Sequence, residues 1–72
     1  MPELPISNRI RDLRAEHLGM SQLDLARRIG VTRQTVNAIE LGKYSPSLEV
    51  AFRIAAVFKL PLEDVFTYEE NK

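Results

Sequence analysis

Apolar residues recur every three to four positions over most of this chain, and each such run predicts a short amphipathic helix. The clearest pair of runs lies within residues 22–41. The inward positions of its two helices are Leu25, Ala26 and Ile29 in the first and Val36 and Ile39 in the second. Gly30 can close the first helix in a left-handed conformation, and Thr32 can cap the second through its hydroxyl. We therefore expect two helices joined by a tight turn.

Three further helices are predicted from the same spacing. The first begins from a cap at Ser7 or Asn8 and runs to about Leu18, where Gly19 ends it. A later helix follows a cap at Ser47 and carries the apolar positions Leu48, Ala51, Ile54, Ala55 and Phe58. The last helix starts at Pro61 and carries Leu62, Val65 and Phe66. The expected fold is all-α, with five helices in a single domain over residues 1–72, divided into an arm (1–6), a helical core (7–66) and an acidic tail (67–72).

Composition limits the range of functions. The 72 residues suffice for one domain, and 44% hydrophobic residues are typical of a globular chain. There is no cysteine, and His17 is the single histidine, so the sequence offers neither a disulfide framework nor a convincing metal site. With no paired nucleophile and base either, we expect no enzymatic activity, no cofactor and no small-molecule ligand. A signal peptide and a membrane span are not evident, and the expected location is cytoplasmic.

The charges balance overall but are unevenly distributed. Ten basic and ten acidic residues give a net charge of zero. Residues 1–45 hold seven Lys or Arg against five Asp or Glu, and residues 46–72 hold three against five. This mild asymmetry is compatible with a polyanionic partner and is not evidence for one.

Polar side chains occupy the outward arc of the predicted helix that follows Thr32. With Val36 and Ile39 inward, this arc contains Arg33, Gln34 and Asn37. Arg pairs with the O6 and N7 atoms of guanine, and Gln and Asn pair bidentately with adenine. These three residues are therefore candidate DNA base contacts; the alternative is that they are solvated polar residues on a surface helix.

The segment SQLDLARRIGVTRQTVNAIELGKYSPSLEVAFRIAAVF resembles the core of the Cro and lambda-repressor-like regulators, also called the xenobiotic-response-element family. The resemblance runs from about Asn8 to Phe66 and is greatest to the small stand-alone prokaryotic members. It implies a five-helix lambda-repressor-like DNA-binding bundle with a helix-turn-helix at its second and third helices, and double-stranded DNA as the partner. The third helix would enter the major groove.

The resemblance also implies roles for individual residues. The positions usually reading bases match Arg33, Gln34 and Ala38, which together with Asn37 and Thr32 form the expected base-contact set. Phosphate contacts are expected from Gln22, Ser21 and Thr35, and Gln22 would also brace the first reading residue. By their position after the third helix, Lys43, Tyr44 and Ser45 are also expected to reach phosphates; the alternative is that they are surface residues without a contact. Arg14 and Glu40 match a partly buried salt bridge between the first helix and the end of the third. The chain departs from the family pattern by one extra residue between Arg14 and Ser21, which predicts an altered turn.

The oligomeric state and the function each leave an alternative open. A sequence-specific regulator of this size is expected to act as a homodimer, because one helix reads too few base pairs. Candidate interface residues are Val50, Val57, Phe66 and Tyr68, which could equally serve to pack the fifth helix on the fourth. An alternative function is a protein-interaction module, such as an antitoxin or an adaptor, that uses the same fold.

Overall fold

The computed structural model describes residues 5–69 and contains five helices and two short strands in this range. In chain order the elements are β1 (Ile6–Asn8), α1 (Ile10–Glu16), α2 (Gln22–Ile29), α3 (Arg33–Glu40), α4 (Leu48–Phe58), α5 (Leu62–Val65) and β2 (Phe66–Tyr68). The mostly helical fold with five helices agrees with the sequence, whereas the strands correct the expectation of an all-α chain. Residues 1–4 of the predicted arm and residues 70–72 of the predicted tail lie outside the described residues.

The two strands join the beginning and the end of the described chain. β1 and β2 pair antiparallel with Ile6 opposite Tyr68, Ser7 opposite Thr67 and Asn8 opposite Phe66. Phe66, which we expected in the last helix, therefore begins β2. Asn8 retains a role at the start of α1, because its Oδ1 accepts a hydrogen bond from the Ile10 backbone N–H at 3.1 Å.

The turn between α1 and α2 begins earlier than the sequence predicted. α1 ends at Glu16 rather than near Leu18, and Leu18 and Gly19 both adopt positive φ, at 58° and 67°. The Leu18 side chain is 98% exposed, while Met20 beyond it is 6% exposed and packs in the core. The turn thus places the Leu18 side chain in solvent and returns the chain to the core at Met20.

Replacing Leu18 with asparagine is expected to raise the free energy of unfolding by about 0.5–1 kcal/mol, because asparagine tolerates the left-handed conformation and no buried contact is lost. Urea unfolding followed by circular dichroism measures the change. Leu41→Asn is the matched control, since Leu41 is also exposed but has a φ of −81°. A gain in both variants would show that backbone strain at Leu18 is not its source.

The α2–α3 junction has the predicted caps. The Ser21 hydroxyl accepts from the Asp24 N–H at the start of α2, and Gly30 ends that helix with a φ of 79°. Thr32 Oγ1 accepts from the Thr35 N–H at 3.1 Å and begins α3. Three residues therefore separate α2 from α3, and the two helices pack against each other.

The core is one cluster to which every helix contributes. Its most deeply buried large side chains are Ile10, Leu25, Ile29, Val36, Ile54 and Val65. α4 departs from the predicted arc at Leu48, which is 68% exposed at the beginning of the helix. Phe58 at its end is partly buried against the core, and its ring lies edge-on to His17 with the centroids 5.8 Å apart. Val50, Val57 and Phe66 are also partly buried against the core. α3 thus packs one face against the core and exposes the opposite face to solvent.

Candidate nucleic-acid interface

One face of α3 is polar and exposed, and the opposite face is apolar and buried. Val36 and Ile39 are each 2% exposed. Arg33, Gln34 and Asn37 lie on the opposite side and are exposed. Because all three are held on one rigid helix, their polar atoms can meet successive groups on a partner surface.

Two of the three remaining candidates at α3 are less accessible. Ala38 and Thr35 are half-buried, while Thr32 is exposed at the helix start. The hydroxyls of Thr32 and Thr35 lie 3.0 Å apart, and Thr32 already accepts from the Thr35 backbone. These hydroxyls therefore have a structural role at the cap in addition to any contact they make with a partner.

Gln22, the first residue of α2, contacts α3 at two places. Its Nε2 donates to Asn37 Oδ1 and to Glu40 Oε1, both at 3.0 Å. The resemblance implied that Gln22 would brace the first reading residue, Arg33. The structure instead joins Gln22 to Asn37, one helical turn further along, because Asn37 and Glu40 lie on the same side of α3.

The structure brings Arg14 and Glu40 together. Arg14 Nε lies 2.6 Å from Glu40 Oε2, and Arg14 Nη2 donates to Oε1 at 3.1 Å. The remaining Arg14 terminal nitrogen, Nη1, donates to the Met20 carbonyl at 2.8 Å. The two side chains are only 15% and 6% exposed. The bidentate pair therefore ties α1 and the α1–α2 turn to the last residue of α3.

The segment after α3 is turned sharply by Gly42, whose φ is 75°. The Lys43 N–H donates to the Ala38 carbonyl, and the Gly42 N–H donates to Ile39, which is the pattern of a Schellman motif. Lys43, Tyr44 and Ser45 are exposed beyond this turn. They therefore lie at the C-terminal end of α3, whereas Ser21 and Gln22 lie at the start of α2.

Arg11 is a functional candidate that the sequence reasoning missed. It is exposed on α1 and lines one cleft together with Arg14, Gln22, Asn37, Glu40 and Leu41. In the sequence it was only one of several charges on the polar side of the first helix. Its position three residues before Arg14, on the same face, was the available signal.

Other kinds of site have little support in this part of the chain. Within residues 5–69, no three His, Cys, Asp or Glu side chains are grouped so that they could hold a metal ion. In the same range, no helix has the length and apolar content needed to cross a membrane.

The fold and this face together define a small helical domain that presents one polar helix on an apolar framework. A family model described as helix-turn-helix matches residues 10–65. The chain belongs to this helix-turn-helix family.

Relatives support the same assignment over nearly the full chain. An uncharacterized HTH-type transcriptional regulator of Methanocaldococcus jannaschii is 48% identical over 67 residues, covering 93% of this chain and 100% of the relative. A similarly named protein of Bacillus subtilis is 49% identical over 66 residues, covering 92% and 98%. A transcriptional repressor of the cryptic phage CTXphi in Vibrio cholerae is 36% identical over 65 residues, covering 90% of this chain and 58% of that protein.

Comparison of structures agrees at the level of the fold. A crystal structure of a Bacteroides fragilis protein superposes with a TM-score of 0.75 at 22% identity, covering 86% of this chain and 98% of that one. At this identity the likeness establishes the fold alone.

Proposed function

We propose that this protein is a sequence-specific DNA-binding transcriptional regulator, in which α2 and α3 are the helix-turn-helix and α3 enters the major groove. The observation that carries the proposal is the division of α3 into a buried apolar face and an exposed face of Arg33, Gln34 and Asn37. Membership of the helix-turn-helix family and relatives named as transcriptional regulators support it.

The exposed side chains have the chemistry that base recognition needs. The guanidinium of Arg33 can donate to the O6 and N7 atoms of guanine, and the amides of Gln34 and Asn37 can pair with adenine. Each such pair discriminates against the wrong base by about 1–3 kcal/mol. Thr32 and Ala38 supply methyl groups at the two ends of this surface, where they would meet thymine methyls.

Phosphate contacts would come from both sides of α3. Ser21 and Gln22 lie at the N-terminus of α2, where backbone N–H groups favour an anion. Thr35 and the exposed segment of Lys43, Tyr44 and Ser45 complete the expected set. We add Arg11, because it is exposed and shares a cleft with Gln22 and Asn37.

Two substitutions separate base reading from phosphate binding. Arg33→Ala should change the base preferred at one operator position, by about 1–3 kcal/mol, because it removes a contact to a base edge. Lys43→Ala should weaken binding to every sequence by a similar factor and lower the salt slope by about 1, because it removes a phosphate contact. Selection from random DNA, followed by binding titrations over a salt series, measures both effects.

The same titrations test the proposal as a whole. Wild-type protein should bind mixed duplex DNA with an affinity that falls steeply as salt increases. A flat salt dependence would contradict DNA binding and favour a protein partner. If Arg33→Ala left the selected motif unchanged, the assignment of the reading face would be wrong.

We further propose that the regulator acts as a homodimer. Two copies of α3 spaced by one turn of DNA, about 34–36 Å, would read two half-sites. Of the four interface candidates, Val50, Val57 and Phe66 each leave only part of their surface for a partner, whereas Tyr68 on β2 is 66% exposed. Tyr68 therefore has the most surface left for a second copy.

Tyr68→Asp is expected to shift the protein from a two-chain to a one-chain mass, because a charge would be buried at the interface. Sedimentation equilibrium measures the mass. Phe52→Asp is the matched control, since Phe52 is 54% exposed on α4 and lies outside the proposed interface. Dissociation by Phe52→Asp but not by Tyr68→Asp would place the interface around Phe52 and contradict the role of Tyr68.

A further inference from the structure

One exposed apolar side chain continues the polar face of α3. Among residues 33–41 four are exposed, and Leu41 is the apolar one, at 59% exposure. It follows the last residue of α3, but its backbone is still helical, with a φ of −81° and an N–H that donates to the Asn37 carbonyl at 3.0 Å. The direction of the Leu41 side chain is therefore set by the helix.

Leu41 lies in line with the two amide side chains of this face. It comes seven residues after Gln34 and four after Asn37, so at about 3.6 residues per turn all three point to the same side of α3. Val36 and Ile39 point to the opposite side and are each 2% exposed. At about 1.5 Å per residue, Leu41 is about 10 Å along the axis from Gln34, which is about three base-pair steps of about 3.4 Å each. If α3 lies along the major groove, Leu41 thus meets a base pair beyond those that Gln34 and Asn37 meet.

The surroundings of Leu41 are polar. On one side it lines a cleft together with Arg11, Gln22 and Asn37. On the other side it borders Ser7 of β1 and the Ser7-bound carboxylate of Glu69. The core of a protein interface is depleted of charged residues, so a single leucine among these groups is poorly suited to cover a second protein. A small apolar group on an otherwise polar partner fits this arrangement better.

The major groove of DNA presents such a group. The C5-methyl group of thymine projects into the groove, where proteins recognise it by apolar contact, and 5-methylcytosine carries a methyl group at the same ring position. Burial of one methyl group against an apolar side chain corresponds to about a three- to tenfold change in affinity. The exposed end of a leucine is large enough to supply this contact.

We propose that Leu41 is a specificity-determining residue that contacts the C5-methyl group of a pyrimidine, in thymine or in 5-methylcytosine, an inference that rests on the proposed DNA-binding function. The contact lies one helical turn beyond Asn37 and extends the recognised sequence towards the C-terminal end of α3. It requires α3 to lie along the major groove, because a helix that entered by its N-terminus alone would carry Leu41 away from the bases.

Removing the methyl group from the DNA tests the contact. The operator is first selected from random DNA with wild-type protein, and each thymine of a half-site is then replaced by deoxyuridine, which lacks only the methyl group. At one position, distinct from the one sensitive to Arg33→Ala, the replacement should lower wild-type affinity about three- to tenfold. Leu41→Ala should bind the thymine operator as weakly as wild type binds the deoxyuridine operator, and the replacement should not weaken it further.

A second pair of duplexes distinguishes the two sources of the methyl group. Cytosine or 5-methylcytosine is placed at the same position, opposite guanine. If methylation raises wild-type affinity about three- to tenfold and leaves Leu41→Ala unchanged, Leu41 reads the methyl group in either base. If methylation has no effect where deoxyuridine does, the contact is specific to thymine.

Leu48→Ala is the matched control, because it removes the same atoms from a leucine that is 68% exposed on α4. It should keep the wild-type response to deoxyuridine. The urea midpoints of wild type and Leu41→Ala should agree, which shows that the loss of affinity is not a loss of folded protein.

The opposing outcomes are separate. If no replacement changes wild-type affinity, or if Leu41→Ala responds as wild type does, the inference is overturned. An equal loss for all sequences in Leu41→Ala would place the side chain against the DNA backbone. A shift of this variant from a two-chain to a one-chain mass in sedimentation equilibrium would place it between two copies. Either result would overturn the inference without contradicting DNA binding, whereas wild-type protein that selects no sequence would overturn the proposed function itself.

Discussion

Replacing Glu40 with alanine is expected to lower the free energy of unfolding by about 3–5 kcal/mol. The Glu40 side chain is 6% exposed, and its oxygens accept from Arg14 and from Gln22. Its removal leaves the guanidinium of Arg14, itself only 15% exposed, without its counter-charge. A domain of this size has a net stability of about 3–5 kcal/mol, so we expect the variant to be largely unfolded.

Urea unfolding followed by circular dichroism, in the presence of a stabilising osmolyte, measures the loss. Glu49→Ala is the matched control, because Glu49 lies at the same 2.6 Å from Arg53 but the two side chains are 74% and 51% exposed. We expect it to cost less than about 1 kcal/mol. Equal losses in the two variants would show that burial does not determine the contribution of the Arg14–Glu40 pair.

The parts of the fold predicted from sequence are those determined by interactions between residues close together in the chain. Ser21, Gly30 and Thr32 act within one turn of their own positions, so residue type and spacing suffice to predict the caps and the turn between α2 and α3. The inward positions of both helices follow from a period of 3.6 residues in the same way. Placement of Arg33, Gln34 and Asn37 on the exposed side of α3 follows from that period too.

The features missed from sequence depend on contacts between distant positions. β1 and β2 are three residues long, and their pairing joins Ile6 to Tyr68 across almost the whole chain. Strands this short show no clear alternation, and the partner of each lies near the other end of the described chain. Leu48 was misplaced for a related reason, because its apolar spacing fits α4 but its side chain is 68% exposed in the folded chain.

The candidate site also combines features that the sequence predicts with features that depend on contacts between distant positions. Periodicity predicts that Asn37 points outward, but its contact with Gln22 depends on how α2 crosses α3. Arg11 joins the site because α1 lies beside the same cleft. Its spacing from Arg14 indicates a shared face of α1, but not which other elements that face meets. Sequence therefore predicts which side chains face outward, and the packing of helices determines how they are grouped and oriented.

The residues that hold α3 in place also border its exposed polar face. The Arg14–Glu40 pair fixes the end of α3 against α1, and the Glu40 carboxylate also accepts from Gln22. Loss of binding by a Glu40 variant thus has to be separated from unfolding by the measurement of stability described above.

Leu25→Ala is expected to lower the free energy of unfolding by about 2–5 kcal/mol, a loss like that expected for Glu40→Ala but of apolar origin. Leu25 lies on α2, is 0% exposed and is among the largest fully buried side chains. Truncation removes its transfer free energy and leaves a cavity that the surrounding helices can only partly fill. Since α2 packs against both α3 and α4, the cavity weakens the support of the proposed reading helix.

Leu23→Ala provides the matched control, because it removes the same atoms from the same helix and changes helix propensity equally. Leu23 is 43% exposed, so the expected loss is below about 1 kcal/mol. Urea midpoints of the two variants give the comparison. A large loss at Leu23 that grows with protein concentration would show that a second copy of the chain covers this side chain, because a dimer contact stabilises the fold by mass action. A large loss independent of concentration would contradict the packing of α2 described above.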